Sequence, residues 1–160
     1  MVRPPAGMGK KSRKPAPRSP VASRSWRVHF FRRHRDDDPG ENVPAREYLD
    51  TCPVAARLIA VVKAVADAPP PAFSGGGKWE AMHDEMAGYY EVRIDGPQRR
   101  HYRLFCLLER DGARLGLGGP SLVLITGMDK PFRSTFSDQD YGRVRRLGDE
   151  YKRRNPRSVA

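Results

Sequence analysis

The chain has 160 residues, 38% of them hydrophobic, and a formal net charge of +11. That length suits one compact domain with a tail. No apolar run approaches the roughly 18 residues of a membrane-spanning helix, and two cysteines without a CxxC pair make no disulfide framework, as expected of a reduced, cytoplasmic protein.

The charge is unevenly spread. Eight of the 30 basic residues and none of the 19 acidic ones lie in positions 1–27, which leaves 22 bases against 19 acids elsewhere. Residues 1–25 are rich in Pro, Ala, Ser, Arg and Lys and nearly free of apolar side chains. Such a segment buries too little surface to offset its ordering entropy and is expected to be disordered. It reads as a nucleic-acid-binding arm or, equally, as a solubilising tail. It lacks the apolar stretch of a secretory signal, and Pro4, Pro5, Pro15, Pro17 and Pro20 oppose the amphipathic helix of a transit peptide.

The folded domain is expected over 26–156. Residues 25–33 alternate, with Trp26, Val28 and Phe30 against Arg27 and His29, which predicts a half-buried strand. A turn follows at 36–40, then a short helix over 44–50 with Asn42 as cap and Pro44 at its start. Val54, Leu58, Val61, Val62 and Val65 recur at helical spacing, which predicts a second helix over 53–68. Three strands are expected next, over 89–94, 101–110 and 122–128, the last apolar on both faces as in a central strand. Ser137 followed by Asp140 marks the start of a final helix with Tyr141, Val144, Leu147 and Tyr151 as its apolar stripe. The order β-α-α-β-β-β-α predicts an α+β fold with a small antiparallel sheet.

Common catalytic signatures are missing. Gly75, Gly76, Gly77 and Lys78 resemble a phosphate loop, but Ala72 stands at its first glycine, Trp79 follows the lysine and no strand precedes it. His29, His34, His83 and His101 have no metal-ligand spacing, and there is no GxSxG elbow. No cofactor and no metal are expected.

One constellation remains. If positions across the second and third predicted strands sum to 194, Glu91 faces Arg103 and Arg93 faces His101, all on one side of the sheet. Lys130 and Arg133 follow the last strand, and Lys78, Arg99 and Arg100 flank the group. Cations placed this way suit phosphoryl transfer in RNA, with Arg and Lys stabilising the transition-state charge and Glu91 or His101 moving the proton. The same residues also make an ordinary cross-strand Glu91–Arg103 ion pair, which contributes only about 0.2–1 kcal/mol.

The motifs Gly-Tyr-Tyr-Glu-Val-Arg at 88–93 and Arg-His-Tyr-Arg-Leu-Phe at 100–105, with Gly-Met-Asp-Lys at 127–130 ending the last strand, resemble the RelE/HigB-type toxin superfamily. The phage-derived HigB-like branch is the nearest in pattern, over about residues 26–154. The resemblance implies a RelE-like sheet flanked by helices. It also implies a type II toxin that cleaves mRNA, often on the ribosome, and is silenced by a cognate antitoxin, often a helix-turn-helix protein. Arg93, Arg103 and Lys130 match the family's basic positions. Pro131 replaces its second lysine, Met128 a phenylalanine, and Glu91 a residue that is basic in typical RelE toxins. A non-catalytic nucleic-acid- or ribosome-binding module on the same fold is the alternative.

Overall fold

A computed structural model describes Val2, Pro70 and residues 25–68 and 76–160. The basic tail expected over 1–25 lies, but for its residues 2 and 25, outside the described residues. The chain forms β1 (Arg27–Phe30), α1 (Pro44–Thr51), α2 (Ala55–Asp67), β2 (Trp79–Ala81), β3 (Tyr89–Gly96), β4 (Arg100–Glu109), β5 (Ser121–Pro131) and α3 (Asp138–Lys152). The strands make one sheet in the order β1-β5-β4-β3-β2. The fold is α+β, with helices on both faces of the sheet. No helix among the described residues is long and apolar enough to cross a membrane.

Two features of the sheet's topology differ from expectation. The sheet is mixed, because β1 runs parallel to β5, with Arg27 opposite Ser121 and Phe30 opposite Leu124. Among the described residues there are five strands, because Trp79–Ala81 adds an edge strand antiparallel to β3. Its three residues are too short to show a period. The order is therefore β-α-α-β-β-β-β-α. The outer edge of β1 is covered by the C-terminal residues: Phe31 bridges Val159, and the Ala160 N–H donates to the Phe30 carbonyl at 2.9 Å. Closing that edge removes a template for unwanted strand pairing.

Strand alternation divides the core in two. Val92, Ile94, Tyr102, Leu104, Cys106, Leu122 and Leu124 point to α1 and α2, where they meet Leu58, Val62 and Val65. Tyr89, Phe105, Leu107, Val123 and Ile125 point the other way and meet Val144, Leu147 and Tyr151 of α3. Burying each such large side chain contributes about 1.5–3 kcal/mol, so both layers are needed to hold the sheet.

The helix ends follow local chemistry. Asn42 does not cap α1. Its N–H is taken by Asp38 Oδ2 at 3.1 Å and its carbonyl accepts from Arg33 N at 2.8 Å, so the helix begins after Val43 with Pro44 in its first turn. α2 starts at Ala55, two residues after Pro53, because the chain is still extended at Cys52. The cap of α3 is as expected. Asp140 N–H donates to Ser137 Oγ at 3.1 Å, and Ser137 N–H donates to Asp140 Oδ2 at 2.8 Å. Gly148 costs α3 helix propensity but admits close packing, since a Cβ there would lie 1.8 Å from the Tyr89 hydroxyl.

β5 contains a bulge, with Phe105 opposite Thr126 but Cys106 opposite Leu124. Ile125 is the extra residue. Strict alternation from Val123 and Ile125 would send residues 127 and 129 toward α3. The bulge moves that role to Met128 and Lys130. Gly127 then faces α1, where the Tyr48 ring occupies the space a Cβ would fill.

Candidate active site

β3 and β4 pair with positions summing to 196, so Arg93 lies opposite Arg103, Asp95 opposite His101 and Glu91 opposite Phe105. The expected register of 194 is off by two. An even slip preserves faces, so Glu91, Arg93, His101 and Arg103 still share one side. That side faces α3, but α3 begins at Asp138 and covers only the apolar part of it. The remaining end of the sheet is ionic.

The ionic groups form a chain. Arg93 Nη1 donates to Glu80 Oε2 at 2.8 Å, and its Nε lies 3.6 Å from Glu91 Oε1. Glu91 Oε2 lies 3.9 Å from Arg103 Nε. Arg103 Nη1 donates to Asp95 Oδ1 and to the Tyr102 carbonyl, each at 2.9 Å. The same Asp95 oxygen is 2.6 Å from His101 Nδ1. The His101 ring packs on Phe132 with centroids 4.8 Å apart. Lys130 pairs with Asp140, donates to the Thr135 carbonyl at 2.9 Å and sits 5.4 Å from the Phe136 ring centre.

Burial decides which of these contacts matter. The Arg103 side chain is 7% exposed and Glu91 is 14% exposed, so each charge depends on protein partners in place of water. Burial pushes the Glu91 carboxyl above its ordinary value, against the pull of Arg103 and Arg93. Asp95 goes the other way. Burial favours its neutral form, but hydrogen bonds from His101 and Arg103 outweigh that and hold it low. The hydrogen bond from Lys130, with the Ser137 N–H, holds Asp140 low. Burial, then the nearby Glu91 charge, raises the Tyr141 phenol.

The structure thus brings Glu91, Arg93, His101, Arg103 and Lys130 to one face. Arg99 and Arg133 stand at its open end, both exposed and both left-handed, with φ of 54° and 68°. The Phe132 N–H donates to the Arg99 carbonyl at 2.8 Å and ties the two turns together. Non-glycine residues held in this conformation cluster at functional sites. Lys78 is exposed just before β2, and its carbonyl accepts the Arg93 N–H at 2.8 Å. Arg100 is elsewhere. It alternates to the opposite face, where its Nε meets Asp129 Oδ2 at 2.5 Å, and so does not belong to this group.

Beyond Glu91, the acidic members of the site were not legible in the sequence. Glu80 lies on the unforeseen strand. Asp95 continues the alternation of Glu91 and Arg93, but its Asp-Gly-Pro context reads as a turn. Asp140 reads as a helix cap and is one, while also holding Lys130. As a result Arg93, Arg103 and Lys130 each face a carboxylate. Arg99, Arg133 and Lys78 form no ion pair among the described residues.

The arrangement supplies a carboxylate between two guanidiniums and an imidazole whose Nδ1 faces a carboxylate. The Asp95 contact orients the His101 ring and leaves Nε2 without a hydrogen-bond partner among the described residues. No known protein family, curated protein or solved structure gives a significant match to this chain.

Proposed function

We propose that the protein is a toxin-like endoribonuclease of the RelE/HigB kind, which cleaves mRNA in the cytoplasm, on the ribosome, by attack of a 2′-hydroxyl on its own phosphodiester. The observation that carries this reading is Glu91 lying between Arg93 and Arg103, with the Asp95-held His101 on the same face. Arg99 and Arg133 meet the incoming backbone first. The scissile phosphate then displaces carboxylates to reach Arg103, Arg93 and Lys130, which stabilise the added charge. Glu91 takes the 2′-hydroxyl proton, helped by its raised affinity for one. His101 Nε2 gives a proton to the departing 5′-oxygen. The products are a 2′,3′-cyclic phosphate and a 5′-hydroxyl, with one proton taken and one given. By the same resemblance, the partner that silences it is a cognate antitoxin, of the helix-turn-helix kind.

The test is induction in a bacterial host with mapping of mRNA 5′ ends. New ends are expected with wild type and are lost in Arg93→Ala and Arg103→Ala. Unchanged mRNA with wild type overturns the reading.

One observation favours a second reading, a non-catalytic RNA- or ribosome-binding module. Each cation of the central group is already paired, and the cations free of such pairing stand around it. Such a module binds RNA without cutting it. Its affinity falls with salt at a log–log slope of about −0.7 per single-strand phosphate neutralised.

A further inference from the structure

Beside Tyr141, whose phenol feels the Glu91 charge, the 83–87 turn between β2 and β3 stands over the first turns of α3. A cleft of about 410 Å³ lies between them. That is within the size range of small-molecule sites. Met82, Met86 and Tyr141 give it apolar walls, and Asp84, Asp138 and Arg145 give it polar ones. The walls are set by packing. Met86 is buried, and the Tyr141 ring stands edge-on to Phe105 with centroids 6.2 Å apart. Arg145 is steered into place by Glu85 at 3.4 Å and by Met86 Sδ at 3.7 Å.

We propose that this cleft is a nucleobase subsite selective for guanine, a specificity that rests on the Glu91 face acting on RNA. A thioether and a phenol ring offer the flat, polarisable contacts on which a base stacks. A carboxylate only accepts hydrogen bonds and a guanidinium only donates them. Guanine has two adjacent N–H donors on one edge and the O6 and N7 acceptors on another. It can therefore meet Asp84 or Asp138 and Arg145 together. Adenine, uracil and cytosine all lack the donor pair, and the two pyrimidines also have a smaller face to stack.

The charge also sets direction. Carboxylates at the cleft repel phosphate, while Arg99 and Arg133 attract it at the open end of the sheet. The base is thereby sent into the cleft and the backbone along the Glu91 face. Tyr141 is the shared wall, so the base in the cleft belongs to a nucleotide beside the scissile bond.

Neutral nucleosides test the cleft without the phosphate. With methyl-labelled methionine in the full-length protein, guanosine should shift the Met82 and Met86 signals more strongly than adenosine, cytidine or uridine. Met128, on the ionic face, should stay still. Asp138→Asn should weaken guanosine about tenfold, within what one good bidentate contact supplies, and so should Tyr141→Leu. Unchanged far-ultraviolet circular dichroism guards against misfolding of either. Equal shifts with all four nucleosides, or none with any, overturn the proposal. The two readings separate cleanly when the same protein is assayed on RNA. Guanosine binding without cleavage keeps the cleft and removes the endonuclease. Cleavage blind to base, with no guanosine shift, keeps the endonuclease and removes the cleft. Cleavage beside guanosine that Asp138→Asn makes indiscriminate supports both.

Discussion

The two faces of the sheet are built from the same three strands and do opposite things. Toward α1 and α2, residues 92, 94, 102, 104 and 106 are all apolar and all buried. Toward α3, alternate positions of the same strands carry Glu91, Arg93, Asp95, His101 and Arg103 before the pattern returns to Phe105. The difference lies in coverage. Two helices roof the first face along its length. The single helix α3 starts at Asp138 and roofs only half of the second. Where the roof stops, charged side chains replace apolar ones, and the burial left at its rim is enough to perturb Glu91 and Asp95 in opposite directions. A packed apolar face thus supports an ionic one through a shared backbone.

That division can be broken most severely at the two adjacent positions 103 and 104. Leu104→Ala empties a fully buried site on the apolar face. It should cost about 3 kcal/mol of stability by denaturant unfolding, within the usual range for buried leucine. For the proposed endonuclease, Arg103→Ala should instead lower the cleavage rate by about 10²–10³-fold, as for removal of a transition-state charge donor. Nuclear magnetic resonance titration of the same variant should show Glu91 holding its proton to still higher pH, because a lowering influence has gone.

The pH dependence sharpens the contrast within the ionic face. Asp95 and Asp140 sit below their ordinary value of 3.8, so the stability they contribute is present above that pH and is lost as pH falls through their folded values. Glu91 sits above its ordinary value of 4.5, so the folded state binds its proton more tightly and loses stability as pH rises through that window. Thermal unfolding followed across pH should show Asp95→Asn with a shallower acid limb than wild type. Glu91→Gln should remove the opposing slope above 4.5.

The smallest expected effect is at the rim. Asp140→Asn frees Lys130 while keeping an oxygen to cap α3. Exposed pairs contribute about 0.2–1 kcal/mol, so affinity for a short RNA should rise about two- to fivefold. Fluorescence anisotropy should show the gain shrinking as salt is added.

Much of this is legible in the sequence alone. The face shared by Glu91, Arg93, His101 and Arg103 follows from alternation alone, and it survives a register error of two residues. The cap at Ser137 and Asp140 is equally local. Other features were not. Arg100 reads as part of the cationic group because it is adjacent to His101 in sequence, and adjacency in a strand means opposite faces. Trp79–Ala81 is too short for a period, so the strand that brings Glu80 to Arg93 left no signal.

The amino-acid sequence by itself determined which side chains share a face and where α3 begins, because a strand's two-residue period and a helix cap depend on neighbours a few positions away. Only the tertiary structure decided what those side chains meet. The parallel seat of β1 joins residues far apart in the chain, while the bulge at Ile125 that turns Lys130 toward Asp140 and the pairing of Arg93 with Glu80 and of Arg103 with Asp95 depend on strand register. Such contacts are selected by packing of the whole sheet between its helices, and no local pattern encodes them.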